Sequence, residues 1–329
     1  MKQRKIPVLG TWLNYKKKTV TEWLDFFQKF INAGISEYFI NGSASELKDL
    51  INLTKQLDIN IHGWIWVMNR PNDPVAMKNP NWYSVNRKGE SSFDFRPYVD
   101  YYQWLSPFSN GARSYVKKNI LEIAKIEGIG SVHLDYVRYC DVILPSNLQK
   151  YYRIKQEREM PEYDFGYHKN ARAGFKKKYG IDPINMDFSK ENKQWNLYRL
   201  DALTSLVKEL KEIAKKNQTK ISAAVFPYPE MSRQMVRQDW SSWELDITCP
   251  MNYHHFYEGD LNWIRDSVFR GLKSKKTKSL FLSGLFLGSL SPVDLKKAII
   301  KCLEAGADGV SLFSADSLTS DHIKVLKSF

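Results

Sequence analysis

The sequence predicts an α/β fold, a (β/α)8 TIM barrel with long loops after strands 3 and 4. Three observations carry this. Eight apolar, β-branched runs of strand length recur along the chain, an amphipathic segment of helical length follows each, and strict alternation of this kind is the pattern of a parallel sheet built from βα units. The length of 329 residues also exceeds the roughly 250 that such a barrel needs, and the surplus falls in two places only.

Taken in order, Val8 to Leu13 reads as the first strand, followed by a helix from Thr21 to Ala33 that opens on Thr19 with Glu22 three residues on. That pair has the form of a capping box. Glu37 to Ile40 is the second strand and Ala44 to Leu57 its helix. The third strand, Ile59 to Val67, is followed by the polar stretch 69–110 before its helix, Gly111 to Glu127. The fourth, Ser131 to Tyr136, leads into 140–194 before the helix Trp195 to Lys216. Then come Ile221 to Phe226 with Met231 to Trp243, Asp246 to Tyr253 with Leu261 to Leu272, Ser279 to Phe286 with Pro292 to Ala305, and Gly309 to Phe313 with Ser320 to Phe329. Ser291 before Pro292 suits a helix start, and Gly34, Gly128 and Gly306 stand where left-handed helix ends are wanted. Residues 1–329 are thus expected to form one barrel domain. Its two insertions, at 69–110 and 140–194, leave the C-terminal ends of strands, the face on which barrel active sites are built, so they are expected to wall a cleft.

Composition narrows the class. With 43% hydrophobic and 26% charged residues the chain is an ordinary globular one, and three scattered cysteines, Cys140, Cys249 and Cys302, form neither a disulfide framework nor a zinc cluster. Aromatic residues reach 14%, a supply that fills cores but also stacks on flat ligands such as sugar rings. The net charge is +13, but its runs, Lys16 to Lys18, Lys176 to Lys178 and Lys273 to Lys278, are dispersed and read as solvated faces. A nucleic-acid partner is not expected, since no recognition motif accompanies the charge. No stretch approaches the ~20 apolar residues of a membrane span. Residues 1 to 12 also lack the apolar core of a signal peptide.

Four strands carry the candidate chemistry. In the fourth, His133 and Asp135 share one face while Val132 and Leu134 share the other, so the polar pair points into the barrel with Asp135 at its top. Asp135 then reads as an acid, base or nucleophile, or as a structural partner of Arg138. In the third, Trp64 and Trp66 face the same way, Trp64 with a core reading beside the ligand one and Trp66 nearer the mouth as a sugar platform; Asn69 follows. Trp12 with Asn14 repeats the arrangement on the first strand. The sixth ends in Asn252, Tyr253 and His254. Adjacent His254 and His255 diverge and no carboxylate completes a ligand set, so hydrogen bonding at the mouth is expected and no metal or other cofactor. After the fifth strand, Glu230 and Asp239 offer further carboxylates, with helix capping as their alternative role. Glycosidic cleavage uses two carboxyl groups. Asp135 is the anchor, and Glu230 or Asp239 the candidate partner.

These residues resemble a known family. The stretch Gly130 and His133 to Tyr139 is similar to an Asp-Gly-Ile-His-Leu-Asp-Tyr-Ile-Arg-Tyr-Pro signature of the glycosyl-hydrolase-10-like group of bacterial barrel proteins. Asn79-Pro80-Asn81-Trp82, Gly89 and Leu105-Ser106-Pro107 extend the likeness upstream, and Gln238-Asp239-Trp240 with Trp243, Asp246 and Pro250 to Tyr253 extend it downstream. Cys140 stands where the family has proline, and Ser131 where it often has Gly or Asp nearby. The resemblance implies a carbohydrate-active barrel acting outside the cytoplasm, periplasmic, cell-surface or secreted, with the secretion signal absent from this chain. It also implies a catalytic role for Asp135, matching the strand-four aspartate of a related hydrolase of partly deacetylated poly-N-acetylglucosamine.

The expected function is therefore a glycoside hydrolase acting on an oligo- or polysaccharide by carboxylate acid/base chemistry. Trp12, Trp66, Trp82 and Tyr253 would shape sugar subsites, with Asn14, Trp64, Asn69, His133, Arg138, Asn252 and His254 as further substrate contacts. The alternative is a non-catalytic glycan-binding protein on a degenerate barrel, for which the same aromatics suffice. Sugar, linkage, stereochemistry and oligomeric state are not legible in the sequence.

Overall fold

In the computed structural model, which describes residues 6–188, 192–275 and 278–329, the strands close into a ring in sequence order. They are β1 (Val8–Asn14), β2 (Ile35–Asn41), β3 (Asn60–Trp66), β4 (Ser131–Asp135), β5 (Ile221–Val225), β6 (Ile247–Pro250), β7 (Leu280–Phe286) and β8 (Gly309–Phe313). Every neighbouring pair is parallel, and β8 returns to β1 with Val8 opposite Gly309. Glycine is required there: a Cβ on Gly309 would lie 1.8 Å from the Val8 carbonyl oxygen. Closure removes both sheet edges, and the (β/α)8 barrel stands as the sequence predicts.

Eight helices complete the βα units: α1 (Val20–Ile31), α2 (Ala44–Leu53), α3 (Asn110–Ala124), α6 (Lys193–Lys216), α7 (Pro229–Val236), α8 (Leu261–Ser274), α9 (Pro292–Glu304) and α10 (Ser320–Leu326). The shorter α4 (Ser146–Tyr151) and α5 (Lys169–Tyr179) lie inside the second insertion. The capping box of Thr19 and Glu22 forms at α1, and Ser291 caps α9 with Pro292 in its first turn. Lys16 to Lys18 and Lys176 to Lys178 are solvated. Of the third basic run, residues 276 and 277 lie outside the described residues, as do 1–5 and the 189–191 part of the second insertion.

Several elements end earlier than their sequence patterns suggest, among them α2 at Leu53 and α10 at Leu326, and two of the early ends shape the barrel mouth. The helix expected to run to Trp243 stops at Val236, because Arg237 takes a left-handed φ of 48° and turns Gln238 back towards the barrel. There the Gln238 side chain accepts from the Phe226 N–H at 2.9 Å and donates to the Val137 carbonyl at 3.1 Å. Strand β6 stops at Pro250, which has no N–H to continue a ladder. Past it, Met251 donates its N–H to the Val225 carbonyl at 2.8 Å and keeps an isolated bridge to Gly284.

Inward-facing side chains stack in layers, as the two-residue period of a strand dictates. One cluster of them is apolar: Trp12, Phe39, Trp64, Ala224, Ile247, Cys249 and Leu282. A chain of hydrogen bonds crosses four strands inside the same barrel. Glu37 Oε2 meets His62 Nε2 at 2.7 Å, His62 Nδ1 meets Ser131 Oγ at 2.8 Å, Ser131 Oγ meets Ser222 Oγ at 2.6 Å, and Ser222 Oγ meets His133 Nδ1 at 2.7 Å. Outward-facing Val132 and Leu134 pack into the main core between strands and helices.

Candidate active site

Strand β4 ends on Asp135, and the next residue, Tyr136, leaves the sheet with a φ of 47°. A left-handed turn at a bulky residue is rare and marks a local conformation fixed by its surroundings. Its effect is to fold the Tyr136 N–H back onto Asp135 Oδ1 at 2.7 Å, while Trp64 Nε1 donates to Oδ2 at 3.0 Å. The side chain is thereby aimed into a cavity of about 380 Å³ at the C-terminal mouth of the barrel.

Aromatic residues make up most of the cavity wall. Trp12 and Trp64 come from the strands, Trp66 stands higher against Tyr136 with centroids 4.7 Å apart, and Tyr253, Phe286 and Phe313 close the opposite side. The insertions complete the enclosure. Tyr98, Tyr101 and Tyr102 arrive from the first, Leu148 of α4 and Tyr152 just past its end from the second. Asn147 of α4 donates to the His255 carbonyl at 3.1 Å and lies 2.9 Å from its Nε2, fastening the second insertion to the loop after β6.

Taking Asp135 out of water destabilises its charged form, and burial pushes its carboxyl up to about 6 despite the Tyr136 and Trp64 hydrogen bonds and the more distant Arg138 charge. The Arg138 guanidinium is committed elsewhere. It donates to Asp141 Oδ2 and to the Tyr139 carbonyl, both at 2.9 Å, and its plane lies over Trp104 at 4.7 Å. The Tyr102 hydroxyl donates to the same Asp141 oxygen at 3.0 Å. The structural pairing of Asp135 with Arg138 that the sequence leaves open is thus not formed. Asp141 holds that place.

Of the residues singled out in the sequence, Asp135, Trp12, Asn14, Trp64, Trp66, Arg138 and Tyr253 meet at the cavity. The others do not. Glu230 lies in the first turn of α7 with a half-exposed side chain 3.5 Å from Arg270. Asp239 begins a short turn at Trp240–Ser242, where Arg233 Nε donates at 2.8 Å and the hydroxyls of Ser241 and Ser242 add their bonds. Neither lines the cavity with Asp135; both stand at the start of a helical turn, but neither side chain makes a capping hydrogen bond there.

Trp82 packs over the first turn of α3, in the space that a side chain on Gly111 would fill. His133 lies below the cavity, edge-on to Trp12 at 4.6 Å. Burial keeps its imidazole well below the usual range, so it is neutral. Asn69 is buried and accepts from the Gln103 N–H at 2.9 Å, and Asn252 is buried and donates to Ser283 Oγ at 2.9 Å. His254 lies outside the cavity with Nδ1 buried. Asp141 is the residue that sequence reasoning missed. Its signal was the spacing Arg138-x-x-Asp141, lost at the start of a long insertion without periodicity.

Over residues 26–270 the sequence matches a family described as "Putative glycosyl hydrolase domain". No protein of curated function matches it. Among solved structures, the chain is similar to the PgaB (BpsB) glycoside hydrolase domain from Bordetella bronchiseptica, with a TM-score of 0.70, 13% identity and 98% of each chain covered. The catalytic domain of β-amylase from Paenibacillus polymyxa aligns with a TM-score of 0.62 at 11% identity, over 99% of this chain and 98% of that one. A β-galactosidase from Bacillus circulans sp. alkalophilus aligns with a TM-score of 0.65 at 15% identity, over 94% of this chain but 50% of the enzyme. At such identities these likenesses establish a shared barrel fold.

Proposed function

Because the chain belongs to this glycosyl hydrolase domain family, we propose that it hydrolyses O-glycosidic bonds of an oligo- or polysaccharide, with Asp135 giving a proton to the leaving oxygen. The observation that carries the reading is the state of that carboxyl: buried among indoles and phenols at the barrel mouth, it keeps its proton up to a pH of about 6. A carboxylic acid so tuned can donate to a glycosidic oxygen where an ordinary aspartate would already be ionised. Fold-related glycoside hydrolases support the assignment by analogy.

The surroundings suit the task. Trp66, at the upper wall, presents an indole on which the apolar face of a sugar ring can lie, and the enclosing rings exclude water from the acid, which strengthens each polar contact made there. Trp64 Nε1 and the Tyr136 N–H hold the Asp135 side chain in one orientation.

Release of reducing sugar from a panel of bacterial and plant glycans, comparing wild type with Asp135→Asn, tests the proposal. A loss of at least about 100-fold in kcat is expected, within the range that general acid catalysis contributes. In the wild type kcat/KM should fall as pH rises through about 6, because the acid form is lost there. Equal activity in the two proteins removes Asp135 from the reaction, and glycan binding without turnover in either would mark a sugar-binding barrel.

A further inference from the structure

We infer that Asp141 is the second carboxylate of this reaction, the base that takes the proton of the attacking water; the inference rests on the hydrolase reading above. Among the described residues, Asp135 and Asp141 are the two carboxylates that line the cavity. Tyr101 and Tyr136 line the same cavity with them, so the two acids border a common space.

Their surroundings differ in the sense that acid and base roles require. Asp135 sits among rings with two neutral N–H donors. Asp141 carries its charge against Arg138, and Tyr102 adds a hydrogen bond to the same oxygen, Oδ2. Its other oxygen, Oδ1, has no hydrogen bond among the described residues. A carboxylate kept only to anchor Arg138 would gain little from facing an open cavity, since burying an ion pair seldom stabilises a fold by itself. Asp141 is also recessed, at 3% exposure against 9% for Asp135. A water molecule can reach Oδ1 more readily than a sugar carbon can, which selects the base role over direct attack.

The step balances. Asp135 transfers its proton to the glycosidic oxygen as the bond from that oxygen to the anomeric carbon breaks. The oxygen of water bonds to the anomeric carbon, and Asp141 takes the proton that water releases. One water is consumed and two hydroxyl products form. Asp135 is left ionised and Asp141 protonated until one proton is exchanged through solvent. Attack by water on the face opposite the leaving group gives inversion.

The test uses the full chain and aryl glycosides, with the wild type setting the reference. Asp141→Asn is expected to lower kcat at least 100-fold with KM within about threefold, in line with loss of a general base. Because removing the carboxylate leaves Arg138 without its charge partner, Asp141→Gly is assayed with added sodium azide. Azide attacks the anomeric carbon without needing deprotonation, so recovery of at least tenfold with formation of glycosyl azide is expected. The first-formed sugar, followed by NMR, should have the inverted anomeric configuration. Wild-type inactivity on every glycoside overturns both readings. Wild-type turnover that survives Asp141→Asn, a retained anomer, or a folded Asp141→Gly that azide does not restore overturns the role of Asp141 alone.

Discussion

Replacing Asp135 by asparagine should separate the chemistry of the site from the stability of the barrel. In the folded protein the carboxyl is raised from 3.8 to about 6, so between those values the folded state binds more protons than the unfolded one. Stability therefore falls as pH rises across that window, and the contribution present at low pH is gone above the folded value. The difference of roughly two pH units, at 1.36 kcal/mol each, makes the ionised side chain a cost of about 3 kcal/mol near pH 7. Asp135→Asn removes that cost. It also leaves one of two donors, the Trp64 indole or the Tyr136 N–H, without an acceptor, at about 1 kcal/mol. The net gain above pH 7 is about 2 kcal/mol. With an unfolding entropy near 2.1 cal/mol/K per residue over 329 residues, this raises Tm by about 3 °C. Below pH 4 the gain disappears and the substituted protein melts about 1 to 2 °C lower than wild type. Thermal melts of both proteins at intervals from pH 3.5 to 8 read this directly. A difference in Tm that stays constant across the range would refute the reasoning, since it would mean the carboxyl is not desolvated.

Other expectations follow from the same geometry. Glu230→Gln should leave kcat/KM within about twofold, because that side chain is half-exposed beside Arg270, and surface changes of this kind have small effects. Asp239→Asn should cost about 1 to 2 kcal/mol in chemical denaturation through its lost Arg233, Ser241 and Ser242 bonds, with kcat on any glycoside substrate preserved. Trp66→Ala should raise KM about fivefold, corresponding to the ~1 kcal/mol of an aromatic stacking contact, with kcat kept. Gly309→Ala should cost more than about 4 kcal/mol, because its Cβ meets the Val8 carbonyl where β8 closes on β1. A soluble protein with wild-type Tm would contradict that account of closure.

What could be read from sequence was whatever depends on local period. The alternation Ser131, His133, Asp135 inward and Val132, Leu134 outward survives folding because a strand has no other way to arrange five residues, and the same rule placed Trp12, Trp64 and Trp66 on the cavity side. What could not be read depends on where irregular backbone returns. Asp239 lies two residues after Arg237, whose left-handed φ carries no mark in the sequence. The Arg233 side chain that captures Asp239 lies six residues away, at a spacing without helical meaning once the helix has ended. Asp141 was hidden differently. Its value comes from Tyr102, 39 residues earlier, and no local pattern joins those two positions. Trp82 looked like a sugar platform because indoles often are, but an indole beside Gly111 has a helix to pack on instead.

The proton on Asp135 follows from how three other residues are employed. Arg138, only three positions away, would lower the carboxyl if it paired with it, but its guanidinium is held by Asp141 and the Tyr139 carbonyl. His133, the next inward side chain on β4, would do the same if it were charged. It is neutral, because burial between Trp12 and Phe39 disfavours the imidazolium. Trp64 remains as the nearest side-chain donor, and an indole N–H can hold a carboxyl group of either charge without fixing it as the anion. Each arrangement leaves Asp135 with hydrogen bonds but without an adjacent cation, so desolvation outweighs the terms that oppose it. The acid is thus a product of the barrel's layering: cations are present on the same strand and just beyond it, and the fold has either neutralised them or turned them towards Asp141.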